Sequence, residues 1–226
     1  MRIAEFFKSI QGEGEFAGTP AVFVRTTGCN LRCSFCDTPH TSWNPEGVHE
    51  PWQTILDRIL ADDCRHVIVT GGEPMLQPDV VSLSHALKRA DRFVTIETAG
   101  TIDRPVHADL MSISPKRVNS TPVGNAMWAS RHEERRDCPD IVGRMTRDYR
   151  YQLKYVVDQP EDVDDVDRHV REIGGIAPSR VFLMPQGIDA EELRQKTEWL
   201  RPAAEERGYC VSPRLHIELF GNRRGT

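Results

Sequence analysis

Apolar positions along the chain follow two alternating periods. Short runs rich in β-branched and aromatic residues read as strands: AVFVRT (21–26), HVIVT (66–70), FVTIET (93–98), LMSIS (110–114), YQLKYVV (151–157) and RVFLM (180–184). Between them, apolar residues recur every three or four positions. Trp52, Ile55, Leu56, Ile59 and Leu60 share one face of a helix over 52–62, and Val80, Leu83 and Leu87 do so over 79–90. Val163, Val166 and Val170 mark a third helix; Leu193, Lys196, Leu200 and Ala203 mark a fourth, with Gly208 as its stop. Strand alternating with helix predicts an α/β fold with a parallel sheet and crossover helices. Four helices for six strands are too few for an eightfold barrel. The expectation is a truncated, partly open (β/α) barrel of about six parallel strands, one domain over residues 1–226. From Arg117 to Asp148 the chain turns polar and charged, so 117–150 reads as an excursion or lid rather than core.

The strand ends carry a second pattern. Directly after five of the six runs come TGCN, GGEP, AG, PK and PQG. Ligands of parallel α/β sheets bind outside the carboxyl ends of the strands, so this punctuation converges on one rim. Gly and Pro also simply end strands, and the pattern alone leaves both readings open.

Composition narrows the class. The 226 residues suffice for one sizeable core, or a core with a small appendage. With 29 Lys+Arg against 34 Asp+Glu the net charge is −5, which offers no electrostatic footprint for non-specific nucleic-acid binding. No apolar run approaches the ~20 residues of a membrane helix. The first 20 residues lack a signal peptide's apolar stretch and cleavage site, so a cytoplasmic protein is expected. In a reducing compartment its six cysteines point to metal binding or chemistry rather than to disulfides.

Three of those cysteines, Cys29, Cys33 and Cys36, lie in GCNLRCSFCDTPHT with the spacing C-x3-C-x2-C. They could form a zinc site completed by His40, be ordinary buried thiols, or hold a [4Fe–4S] cluster with one iron left open. The loop follows a strand on the presumed active rim, and Gly28 and Ser34 would let it wrap a cluster closely. That context favours the open cluster. Cys64, Cys138 and Cys210 match no such pattern and read as small apolar residues.

CNLRCSFCDT resembles the cluster motif of the radical S-adenosylmethionine (SAM) superfamily, and TGGEP (70–74) resembles its GGEP element. The resemblance implies that SAM chelates the open iron and is cleaved to a 5′-deoxyadenosyl radical, with Phe35 near the adenine. EFFKSIQGEGEFAGTPAVFVRTTGCNLRCSFCDT, ISPK (113–116), MPQG (184–187) and RLHIELFGNRRGT (214–226) together are similar to the 7-carboxy-7-deazaguanine synthase family. That resemblance implies a shortened barrel and rearrangement of 6-carboxy-5,6,7,8-tetrahydropterin to 7-carboxy-7-deazaguanine with loss of ammonia. It also implies a homodimer, SAM, Mg²⁺ and an external electron donor such as flavodoxin.

Residue by residue, the resemblance implies that Ile10, Gln11, Gly12, Arg25, Thr70 and His216 meet the pterin, Arg25 through its two-pronged donor to a carboxylate. His216 lies on a strand-like segment. Thr38 would ligate Mg²⁺, although an N-capping threonine is the reading from sequence alone. Cys36, Asp37, Gly72, Glu73, Glu97, Thr98, Ser114, Pro115, Lys116, Met184, Pro185, Gln186 and Gly187 would surround SAM, with Glu73 either fixing its loop or accepting from the SAM ammonium. Glu97 could equally be a buried structural carboxylate. No catalytic side chain is expected beyond the cofactors, and Thr226 is given no role. The rivals are a glycyl-radical-enzyme activase, which shares the cysteine spacing, and a zinc-stabilised binding module using His40.

Overall fold

A computed structural model describes residues 1–226. The strands are β1 (Arg2–Ile10), β2 (Pro20–Thr26), β3 (Val48–His49), β4 (His66–Gly71), β5 (Phe93–Thr98), β6 (Leu110–Ile113), β7 (Tyr151–Val157), β8 (Val181–Pro185) and β9 (Cys210–Val211). The helices are α1 (Trp52–Leu60), α2 (Val80–Arg89), α3 (Ala126–Arg136), α4 (Pro139–Asp148), α5 (Pro160–Ile173), α6 (Ala190–Arg207) and α7 (Leu215–Phe220). All strands join one sheet in the order β3-β1-β2-β4-β5-β6-β7-β8-β9. From β2 to β9 every neighbouring pair is parallel, while β1 runs antiparallel to both β2 and β3. The two edges do not meet, so the barrel is open.

The six expected parallel strands are present, with the two-residue β9 added beyond them. One face of each strand packs on the helices. Val67, Val69, Val94, Ile96, Met111, Ile113, Leu153, Tyr155, Val181 and Leu183 meet Ile55, Ile59, Leu83, Leu87, Val163, Val166 and Leu200 in a single core. Helix α6 starts where the Asp189 side chain accepts the N–H groups of Glu191 and Glu192, both at 3.0 Å, and stops at Gly208 in a left-handed conformation (φ +68°). No helix is long and apolar enough to cross a membrane.

Three expectations need correction. Residues 117–150 are outside the core only in part: they form α3, which buries just His132 and Arg136, and α4, which adds Val142 and Met145 to the core. The apolar positions of α4 are interleaved with Arg144, Arg147 and Asp148, which hides its period in the composition. Strand β1 was missed because only Ile3 of its nine residues is fully buried, leaving no clean alternation. His216 lies on helix α7, not on a strand-like segment; the helix is too short for a period to declare itself.

Candidate active site

Strand faces that do not pack on the helices line a cavity of about 460 Å³. Its wall is set by register, since side chains alternate along each strand and laterally paired residues share a face. Arg25 pairs with Thr70, Glu97 with Ser112, and Val156 with Met184; all six line the cavity. The loops at the carboxyl ends add the three cysteines, Phe35, Asp37, Thr38, Gly72, Ser114, Lys116 and Gln186. Ile10, Gln11 and Gly12 close the wall after β1, and His216 does so from α7. Residues scattered from 10 to 216 are thus brought together.

The cysteine loop follows β2. Its backbone is fixed to the next strand end, with Gly28 O accepting from Glu73 N at 2.9 Å and Gly28 N donating to Thr41 O at 2.8 Å. A Cβ on Gly72 would sit 2.3 Å from Gly28 O and 2.7 Å from Thr41 O, so only glycine lets the two loops meet. Cys29, Cys33 and Cys36 pack with Leu31, Phe35 and Ala99. Burial pushes the Cys29 thiol up to about 11 and the Cys33 thiol up to about 12. Cationic iron would reverse that cost by binding the thiolates. No disulfide joins the cysteines. His40 is turned to Glu5, its Nε2 3.3 Å from Oε2, and no group of three or more His, Cys, Asp or Glu side chains is arranged to hold a single metal ion. Three thiols on one loop beside a cavity fit a cluster with an open iron, and the zinc reading lacks its fourth ligand.

Glu73 is wholly buried and does not line the cavity. Its carboxylate accepts from Met75 N (3.0 Å), Ala99 N (2.8 Å) and Thr98 Oγ1 (2.9 Å), bonds that fix its loop, while Thr98 itself also lines the cavity. Pro115, Pro185 and Gly187 also lie outside the cavity wall. Asp37 pairs with Arg214, tying the end of the cysteine loop to the start of α7. Lys116 donates to Ser114 Oγ at 2.6 Å, and Gln186 accepts from Lys196 at 3.1 Å.

Glu97, expected at SAM, touches two of the residues expected at the pterin. It accepts from Gln11 Nε2 at 3.0 Å and from Thr70 Oγ1 at 2.8 Å. Gln11 in turn accepts from Glu13 N at 3.0 Å. Arg25 forms an ion pair with Glu5 through Nε, at 2.6 Å, while still lining the cavity. Gly12 leaves room for His216, whose Nδ1 would lie 2.1 Å from a Cβ there. Burial lowers the pKa of His216, although Glu13 lies 3.9 Å away.

Sequence reasoning missed an ion network on this wall. Lys154 of β7 contacts Glu13 and lies 3.9 Å from Glu97; Arg214 Nε lies 3.4 Å from Glu13. Burial alone would raise the Glu13 carboxyl, but Lys154 and Arg214 outweigh it and hold it far below the usual range. Burial would likewise lower Lys154, and Glu13 and Glu97 reverse this and raise it. A lysine inside the buried strand run YQLKYVV was the available signal. Asn222, Arg223, Arg224 and Thr226 also line the cavity, giving the chain's last residues a place that the sequence had not assigned.

Comparison with known proteins places this geometry. Residues 23–121 match the family model described as the Radical SAM superfamily. The chain is similar to the 7-carboxy-7-deazaguanine synthase of Rhodopirellula baltica, 45% identical over 227 residues, covering 99% of this chain and 88% of that one. It is 41% identical over 236 residues to the synthase of Halobacterium salinarum, with 99% and 92% coverage. Among solved structures it is similar in fold to QueE from Escherichia coli (TM-score 0.68, 24% identity, 93% and 92% coverage). A weaker similarity in fold reaches TYW1 with a lysine-pyruvate adduct bound (TM-score 0.56, 15% identity, 82% and 73% coverage).

Proposed function

The chain belongs to the 7-carboxy-7-deazaguanine synthase family of radical SAM enzymes, and on that premise we propose how its cavity serves the reaction. It converts 6-carboxy-5,6,7,8-tetrahydropterin to 7-carboxy-7-deazaguanine with loss of ammonia. The observation that carries this reading is convergence: the cysteine loop, the GGEP turn and the Gln11–Glu97–Thr70 set face one cavity. A cavity of about 460 Å³ lies in the size range of small-molecule sites, as a pterin substrate requires.

Cys29, Cys33 and Cys36 would hold the cluster, with Phe35, Ser114, Lys116, Met184 and Gln186 around SAM. When bound, these cofactors supply a hydrogen-abstracting 5′-deoxyadenosyl radical. The chain's own part is placement. Glu97, fixed by Gln11 and Thr70, would accept from N–H groups of the pterin, and Arg25 would bind its carboxylate. His216 would pack on the ring. Thr38, which lines the cavity, would ligate Mg²⁺ at the same carboxylate. We further propose one domain, a homodimer and an external one-electron donor.

Anaerobically reconstituted protein given substrate, SAM and Mg²⁺ should form 7-carboxy-7-deazaguanine. A brown protein that cleaves SAM without this product would overturn the assignment. If Thr38→Ala left the Mg²⁺ dependence unchanged, the metal role would be wrong.

A further inference from the structure

The segment between β6 and α4 contributes only Ser114 and Lys116 to the cavity wall, yet it grips the cysteine loop from outside. The N–H of Arg32, directly before Cys33, donates to His132 Nδ1 at 3.1 Å. His132 Nε2 lies 2.8 Å from Ser120 Oγ, which donates to the Arg117 carbonyl at 2.6 Å. An amide donor at Nδ1 leaves the ring proton on Nε2, so the relay runs one way, from Arg32 through His132 and Ser120 to Arg117. A parallel contact joins Ser34 N to Ser120 O at 2.9 Å, and Ser34 Oγ donates to Asn119 O at 3.2 Å.

The gripping segment is itself anchored. Arg117 pairs with Asp137 at 2.7 Å and with Asp165 at 3.0 Å. The Asn119 amide donates to Val156 O and to Asp162, both at 3.0 Å. His132 is 1% exposed, and burial lowers its pKa to about 4, which keeps it the neutral acceptor the geometry requires. The cysteine loop, by contrast, has no strand or helix between Cys29 and Thr38 to fix its backbone.

We propose that His132, braced by Ser120, is a positioning residue that sets the Cys29–Cys33 backbone for the cluster before iron binds. The idea rests on the cluster reading above. A preset loop spares the ordering entropy otherwise lost when thiolates gather on metal. The occupied Arg32 N–H also cannot turn towards a thiolate, where it would alter the cluster's potential.

Two replacements separate this from general packing. His132→Leu keeps apolar volume and removes the acceptor; His132→Asn keeps an oxygen where Nδ1 stands. In the full-length apo chain, amide exchange across residues 30–36 should quicken about fivefold in the Leu variant, one hydrogen bond's worth, and stay near wild type in the Asn variant. Exchange in β4 and β5 should not change. After anaerobic reconstitution, a chelator should bleach the Leu variant's visible absorbance several-fold faster, with Asn restoring the wild-type rate. Should the Leu variant not fold, Ser120→Ala, which removes only the brace, should quicken loop exchange in the same segment. Equal loop exchange in wild type and the brace-deficient variants, or an Asn variant as fast as Leu, would overturn the proposal. A colourless wild-type protein would instead overturn the cluster reading, with apo exchange still deciding the clamp.

Discussion

Lys154→Met tests whether the cavity wall is held together by charge. The Lys154 side chain is 6% exposed and that of its partner Glu13 14%. Removing one member of a buried pair leaves the other charge desolvated, at a cost of about 3–5 kcal/mol. Here Glu13 retains Arg214 at 3.4 Å, which places the expected loss at the lower end, about 3 kcal/mol. For a chain of this length each kcal/mol moves the midpoint by about 2–4 °C, so a fall of roughly 6–12 °C is expected. Thermal and urea unfolding of K154M, E13Q and the double variant, followed by circular dichroism, measure the coupling. The double variant carries neither orphaned charge and should be more stable than the sum of the singles by about 2 kcal/mol. The pH dependence has a definite sign. Glu13 has a lowered pKa, so its contribution is present above the ordinary carboxylate range and lost as pH falls through the folded value. Lys154 has a raised pKa, so its contribution is full below 10.5 and lost as pH rises through the folded value. The pair therefore stabilises most between those limits. A K154M loss under about 1 kcal/mol, or additive singles, would refute the argument.

Other perturbations probe the frame around the cluster. Glu73→Gln places an NH₂ where the carboxylate accepts from Met75, Thr98 and Ala99; a loss of about 2 kcal/mol in urea unfolding is expected, and none would show those bonds to be dispensable. Gly72→Ala drives a Cβ onto two backbone carbonyls, so the reconstituted variant should hold little iron; wild-type iron content would mean the loops can part freely. Cys29→Ala should abolish the visible absorbance of reconstituted protein, whereas Cys64→Ala and Cys210→Ala should retain it, and loss of colour in either of the latter would point to a ligand set other than the one proposed.

What the sequence made legible shares a physical cause. The six parallel strands announce themselves because each buries both faces or one face plus a cavity wall, leaving dense β-branched runs. The cysteine loop and GGEP turn are legible for a related reason. Metal ligation and close loop approach both constrain residue type at fixed local spacing, and Gly72, which meets Gly28 across two loops, is such a constraint.

The missed residues act through partners far away in the chain. Lys154 is meaningful only beside Glu13, 141 residues earlier, and Arg214 only beside Glu13 and Asp37. No local period encodes such pairs, since any cation of suitable reach would leave the same mark in a strand pattern. What can be read is incongruity. In YQLKYVV the alternation puts Gln152, Lys154 and Val156 on one face and Leu153, Tyr155 and Val157 on the other. The second face is apolar and meets helices; the first carries a charge in a strand buried on both sides. A charged residue there is costly unless another element supplies its counter-charge, so its presence already implies a polar interior. Taken with Glu97 in FVTIET and Arg25 in AVFVRT, it identifies the inward face of the barrel as a binding wall. On that wall the register sets Glu97 beside Ser112, and its carboxylate accepts from Gln11 and Thr70.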